Sequence, residues 1–261
     1  MITHFSDIES ILQRHLDGDP TSVGETVHTR GKNRGGFYRL PLAEGGTVVI
    51  KAWRLRNLKE HLKAALHLSN GRREWLMHRL IHQGGIDVPE PLLFSHTTVK
   101  DGTIYEIMVI EDLGETNSGL DHFKKLISSG DESSVSAFEE CLLDQTARLI
   151  DMHILDVDHQ LNNFIVDAKE RLIRIDFECA RRFPFRIMPQ KIFVEMLARL
   201  LASHVYAVQP EVTRSALFAK RLYERLNLDH QAKSLISVSV NSKLGNQHQR
   251  PGVATAVILP V

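Results

Sequence analysis

The sequence predicts an α+β chain of two lobes, a sheet-rich N-lobe followed by a compact helical C-lobe, on three observations. Stretches that alternate apolar residues and carry β-branched side chains, TVVIKAW (47–53) and TIYEIMVI (103–110), fall before residue 113. Helical periodicity dominates after it, most clearly from Ser136 to Ile154, where Phe138, Leu142, Thr146, Leu149 and His153 share one face. Between the two regions, the turn-rich EDLGETNSG (111–119) supplies a connector. The expected organisation is an N-lobe at 1–113, a helical C-lobe at 114–236 and a tail at 237–261 of unassigned role.

Further elements follow from the same signals. Leu55 to Leu68 has helical spacing and many basic residues, and REWLMHRLI (73–81) reads as a helix stopped by Gly84 and Gly85. Helices are expected again from Met188 to Val208 and from Val212 to Leu226. Two short strands, NFIVD (163–167) and LIRIDF (172–177), interrupt the helical half.

Composition narrows the function. With 43% apolar residues in 261, the chain can bury a large core. Lys and Arg (32) balance Asp and Glu (32), so no field of one sign recruits nucleic acid, and charge effects must be local. The start, MITHFSDIES, lacks a signal-peptide pattern, and no apolar run is long enough to span a bilayer. Only Cys141 and Cys179 are present, which suggests no disulfide framework and a reducing, cytoplasmic setting. His78 and His82 stand four apart on an expected helix, yet no third ligand has a matching position, so a structural zinc is not favoured.

Lys51 lies on the same strand face as Val49 and Trp53, where a buried ammonium needs an anionic partner. Glu74 is a candidate, because Met77 and Ile81 stand three and seven residues on and place it on the apolar face of its helix. A lysine snorkelling from an edge strand and a glutamate at a solvated helix start are the plainer alternatives. In DVDHQLNNFIVDAKERLIRIDFE (156–178), Asp158 precedes Asn163 by five residues, and Asn163 precedes Asp176 by thirteen. An aspartate followed five residues later by asparagine is the catalytic-loop spacing of kinases, with the aspartate as base and the asparagine on magnesium. Asp176 would be the second metal ligand. Phosphoryl transfer calls for such groups, because hard cations held by oxygen ligands offset the charge that spreads over the phosphoryl oxygens. Asp- and Asn-rich turns beside a hairpin explain the loop alone equally well. The order lysine, glutamate, aspartate, asparagine, aspartate, on the matching element types, favours the kinase reading.

Upstream, RGKNRGGFYRL (30–40) offers Gly31, Gly35 and Gly36 between two expected strands, where backbone amides could approach phosphates. A glycine hairpin without a ligand fits those residues as well. In VIEDLG (109–114), Glu111 and Leu113 could expose their backbone to adenine or belong to an ordinary linker.

Across Gly31 to Phe177 these residues resemble the protein-kinase-like fold, and within it the lipopolysaccharide core kinases, which phosphorylate heptose or Kdo sugars on the cytoplasmic side of the inner membrane. The similar features are the basic insert between VVIKAW and REWLMHRL, the IDVPEPL entry to a strand, VIEDLG followed by GLDHFKKLI, and the compact IDFE ending. The resemblance implies ATP and Mg2+, with Lys51 paired to Glu74 on the ATP phosphates, Asp158 as base, and Asn163 and Asp176 holding the metal. It also implies a sugar or glycolipid acceptor and a cytoplasmic enzyme with peripheral contact at the inner face of the cell membrane.

Two residues depart from the pattern. Asp156 stands where a histidine is usual two residues before the catalytic aspartate, and Glu178 stands where a glycine usually follows Asp176 and Phe177. No Ala-Pro-Glu motif follows, which argues for a small acceptor rather than a protein. An aminoglycoside-like or other small-molecule kinase and a nonenzymatic nucleotide-binding regulator are the competing functions. Local charge helps to rank them: Arg54, Arg56, Lys59, Lys63, Arg72, Arg73 and Arg79 follow Lys51, and Arg181, Arg182 and Arg186 follow Asp176. Solvated helix faces account for most such runs, but an anionic acceptor or membrane suits them and a cationic aminoglycoside does not.

Overall fold

The computed structural model describes residues 5–17, 25–29, 35–42, 45–183, 188–245 and 257–260, so Gly31 and Arg186 lie outside the described residues. The chain divides into two compact units, Met1–His82 with Pro89–Leu113, and Gln83–Val88 with Gly114–Val261.

The first unit comprises α1 (Phe5–Leu16), β1 (Glu25–Thr29), β2 (Gly35–Pro41), β3 (Thr47–Arg54), α2 (Leu58–Ala65), α3 (Asn70–Gln83), β4 (Pro91–Thr98) and β5 (Ile104–Glu111). Its antiparallel sheet runs in the order β1-β2-β3-β5-β4, with Phe37, Lys51 and Met108 in register across β2, β3 and β5. Strand periodicity then sorts β3 into two faces. Val48, Ile50 and Ala52 enter a core with Ile8 and Leu12 of α1, whereas Trp53 joins Trp75 of α3 and Met108. Gly71 allows α3 to close on the sheet, because a Cβ there would stand 2.9 Å from the Trp53 ring and 2.8 Å from a Glu106 carboxylate oxygen. Just before it, Ser69 donates to Glu106 at 2.5 Å and accepts the Arg72 N–H, capping the helix start.

The second unit comprises β6 (Thr116–Ser118), α4 (Gly119–Ser129), α5 (Glu132–Asp151), β7 (Ile154–Asp156), β8 (Phe164–Asp167), β9 (Leu172–Arg174), β10 (Ala180–Arg182), α6 (Gln190–Val208), α7 (Thr213–Arg225) and α8 (His230–Gly245). Strands β6, β8 and β9 form one small sheet, and β7 pairs with β10. Helix α6 is apolar on most sides and central, packing on α4, α7, α8 and β7. Glu139 of α5 is buried and meets His204 at 3.2 Å, Arg214 at 3.3 Å and Arg221 at 2.8 Å, so its charge has cations on two sides.

Where element limits differ from the expectation, the cause is local. The helix expected to begin at Ser136 starts at Glu132, because Asp131 accepts the Ser133 and Ser134 N–H groups as its N-cap. It ends before Ile154, which opens β7 after His153 turns left-handed with φ 58°. Asn57 caps α2 by accepting the Glu60 N–H, so that helix is shorter than the 55–68 window. The strand read as LIRIDF stops at Arg174, since Asp176 also adopts φ 58°. Helix α8 runs through residue 236, burying Ile236, Val240 and Leu244 at four-residue spacing, and Val257 donates its N–H to Asn241.

Buried histidines give this fold an acid-sensitive term. Burial lowers the pKa of His78 to about 4 and also lowers those of His159 and His204, while burial raises that of Asp156. Groups that bind protons better when unfolded lose folded-state stability as pH falls through the window between their two pKa values. For His78 that window runs from 6.5 to about 4. His78 therefore lowers the urea midpoint as pH falls from 7 to 5, by part of the roughly 3 kcal/mol it contributes down to pH 4, with His159 and His204 acting in the same sense and Asp156 against them. A flat midpoint over that range would mean that these rings titrate normally in the folded chain.

Candidate active site

In the first unit, Lys51 projects from β3 and Glu74 from α3, and the ammonium donates to the carboxylate at 2.5 Å. The two side chains are 2% and 1% exposed. The Lys51 ammonium also lies 5.3 Å from the centroids of both Phe37 and Trp53. A desolvated lysine bordered by one carboxylate and two ring faces is a fixed positive charge with little freedom to wander. The alternatives of a snorkelling lysine and a solvated glutamate do not hold.

In the second unit, β7 delivers the chain into a loop that contains Asp158, and a 3-10 turn from Leu161 to Asn163 returns it to β8. Asn163 uses its amide nitrogen to donate to the Asp158 main-chain oxygen at 2.7 Å and to its carboxylate at 2.9 Å. Gln160 donates to the other Asp158 carboxylate oxygen at 2.9 Å, and the Arg199 guanidinium stands 3.9 Å from that same atom. Each carboxylate oxygen still has a lone pair with which to accept a hydroxyl proton. The Ile175 N–H donates to the Asn163 carbonyl at 2.9 Å, which places Asp176 one residue beyond that contact. With its NH2 group committed to Asp158, Asn163 presents its amide oxygen as the remaining polar atom. That oxygen and the Asp176 carboxylate are hard donors of the kind magnesium takes, so the donor set fits such an ion. Glu178 adds a carboxylate oxygen within 4.8 Å of that of Asp176. Asp176 departs from extended geometry, with φ 58° in a non-glycine residue, as catalytic and ligand-holding positions often do.

The structure gives Gly35 a packing role. Its φ is 101°, and a Cβ there would fall 2.0 Å from the Ala52 carbonyl oxygen, so β2 could not pair with β3 at that point with any other residue. Gly35 pairs with Trp53 and Gly36 with Ala52, next in register to the pair of Phe37 with Lys51. Glu111 ends β5, and its N–H donates to the Glu90 carbonyl at 2.9 Å. Leu113 is half-buried just beyond.

Two supports escape the sequence reading. Arg39 contacts Asp112 at 2.8 Å and Thr47 donates to the same carboxylate at 2.5 Å, pinning the residue between Glu111 and Leu113 to β2 and β3. The second is Arg174, fully buried and ion-paired with Asp156. Asp156 in turn accepts the Asp158 N–H at 2.9 Å. The Arg174 guanidinium lies 4.9 Å from the Phe164 ring centroid and 5.8 Å from that of Phe177, and its own N–H donates to the Asp87 carbonyl at 2.8 Å. Burial raises the Asp156 pKa and the neighbouring guanidinium opposes that rise. His159, next to Asp158, points away from chemistry: it is fully buried against Thr146 at 2.9 Å.

Comparison with known proteins adds three findings. A family model described as lipopolysaccharide kinase (Kdo/WaaP) family matches residues 23–226. Among solved structures, one titled "WaaP in complex with acyl carrier protein" superposes with a TM-score of 0.57, covering 84% of this chain and 88% of that one at 16% identity, which is a likeness of fold. No curated protein matches the chain.

The ion pair beneath the loop yields a prediction. Arg174→Met strands a buried carboxylate and should cost about 3–5 kcal/mol in urea unfolding, the range for breaking a buried pair from one side. Adding Asp156→Asn should restore most of the loss. Equal stabilities for the parent and the single variant would show that Asp156 does not need its cation.

Proposed function

The chain belongs to the lipopolysaccharide kinase (Kdo/WaaP) family, and from that premise we propose how its residues divide the work of phosphorylating a sugar hydroxyl of the lipopolysaccharide core. The observation that carries the proposal is the Asn163–Asp158 contact, which brings the expected base and the expected metal ligand together across five residues. Asp158 accepts the proton of the attacking hydroxyl, with Gln160 and Asn163 fixing its orientation. ATP is the donor, and Lys51, held by Glu74, meets its phosphates. Asn163 and Asp176 hold magnesium, which when bound offsets negative charge on the phosphoryl oxygens. Gly35 and Gly36, at the start of β2, lie where the backbone approaches the nucleotide phosphates, and the backbone from Glu111 to Leu113 meets adenine through groups other than the Glu111 N–H, which Glu90 already occupies.

The acceptor is a membrane-borne glycolipid, so the chain works in the cytoplasm, in peripheral contact with the inner face of the cell membrane. No described helix is long and apolar enough to cross a membrane.

The assignments separate by measurement. Asp158→Asn should lower turnover by roughly 10² to 10⁴ with ATP binding nearly intact, the usual effect of removing a positioned base. Asp156→Asn should do less, since its amide oxygen still accepts the Asp158 N–H. Asp176→Asn should raise the magnesium concentration needed for half-maximal rate. Lys51→Ala should weaken ATP in calorimetry while leaving adenosine unchanged. Normal turnover in Asp158→Asn beside a dead Asp156→Asn would shift the catalytic loop by two residues. A parent enzyme that binds ATP and phosphorylates no core sugar would overturn the acceptor.

A further inference from the structure

Helix α2 is built inside out. Its apolar side chains Leu58, Leu62 and Leu66 recur every four residues and so share one face, yet they are 86%, 58% and 58% exposed. The residue it buries is Ala64, on the opposite side. Leu68, just beyond, is 64% exposed. A folded chain rarely turns its best hydrophobic stripe to water, and a contiguous exposed patch of this kind marks a surface that meets something apolar.

What borders the stripe identifies that partner. Lys59 and Lys63 are exposed, follow Leu58 and Leu62 in the helix by one position each, and so line one flank of the leucine stripe. From Arg54 to His67 the only acid is Glu60, against Arg54, Arg56, Lys59 and Lys63, although the whole chain is neutral. Arg56 is bound to Glu60 at 2.9 Å, and Arg54 lies near Asp101, whose pKa it helps to lower, so among the described residues the excess positive charge of this segment falls to Lys59 and Lys63. Leucines flanked by lysines on a short solvent-facing helix match an anionic bilayer interface, which takes hydrocarbon into its acyl boundary and ammonium groups against its phosphates.

We propose that α2 is a membrane-docking helix that lies in the interface of an anionic bilayer, with Leu58, Leu62 and Leu66 inserted and Lys59 and Lys63 on the lipid phosphates. The proposal rests on the reading of the acceptor as membrane-borne and supplies the element that brings the enzyme to it. Insertion is shallow, because eight residues can rest on a surface and cannot span one. It contributes affinity for the surface and leaves the phosphoryl-transfer residues untouched.

The test uses the full chain and vesicles of phosphatidylglycerol or phosphatidylcholine. The parent should sediment with the anionic vesicles and much less with the neutral ones. Leu58→Gln/Leu62→Gln should weaken that binding about tenfold or more, the scale set by burying two leucines. Lys59→Gln/Lys63→Gln should weaken it at about 0.1 M salt but converge with the parent near 1 M, where the Debye length falls from ~10 to ~3 Å. Leu62→Trp should show a blue-shifted difference emission on anionic vesicles, a readout of depth that loss of fold cannot imitate. Leucine variants that bind as the parent does, or a Leu62→Trp variant whose emission stays at its aqueous position, overturn the proposal. So does a parent that self-associates, or captures an acidic protein, through the same leucines without binding vesicles. Phosphorylation of an acyl-free core oligosaccharide should be equal in the parent and the leucine variant. A parent inactive on every core sugar would refute the acceptor reading, while the vesicle result would still decide the helix.

Discussion

The buried carboxylate of Asp156 is the constraint on which the loop from Asp156 to Asn163 depends. An ionised carboxylate removed from water is tolerated only with a cation and hydrogen-bond donors around it. Arg174 supplies the cation and the Asp158 backbone supplies a donor. Because Arg174 is tied to Asp87 through its own N–H and lies near Phe164 and Phe177, one charge fixes the relative positions of four segments of the second unit. Where the resemblance to kinases leads one to expect a histidine, this chain has an acid, and the acid requires a buried arginine that a histidine would not. The two residues are therefore one substitution in physical terms, although they stand eighteen apart.

A second buried pair, Lys51 with Glu74, organises the first unit in a different sense. Both pairs are enclosed, but Asp156 and Arg174 act on the loop through geometry, whereas Lys51 keeps a concentrated positive charge on a strand, with Phe37 and Trp53 limiting its motion. A phosphate that meets a charge already held in place gains the attraction without first having to order the side chain. Glu74 sets the position of that charge, and Gly71 and Ser69 set the position of Glu74 by seating the start of α3 against Trp53 and Glu106.

Much of this is legible in the sequence, and the illegible part has physical causes. Strands β3 and β5 follow from alternation, and the side of β3 that carries Lys51 follows from period two. Glu74 is legible because its spacing to Met77 and Ile81 fixes a helix face. Local spacing singles out Asp158, Asn163 and Asp176 as candidates, and the structure joins the first two by a hydrogen bond. Arg174 escapes because it sits in an apolar strand where its neighbours, Ile173 and Ile175, give no sign that a charge points inward. Arg39 and Asp112 escape because sequence spacing says nothing about pairs 73 residues apart. Helix limits shift where a single cap, Asp131 or Asn57, outweighs the apolar pattern.

Helix α2 exposes a more general limit. Apolar periodicity measures how strongly a helix is two-sided, and the usual inference that the apolar side faces the core adds an assumption that the sequence does not contain. For α3 the assumption holds: Glu74, Met77, His78 and Ile81 are buried together. For α2 it fails, with the leucines outward and Ala64 inward. The small residue explains how this is possible, since an alanine face lets a helix rest on the body of the unit without needing a large apolar socket. What it does not explain is why leucines occupy the other face, where polar residues would cost nothing and would protect against aggregation. Retaining them there calls for a compensating contact, and the proposed membrane-borne acceptor would bring hydrocarbon that can provide it into the same surface.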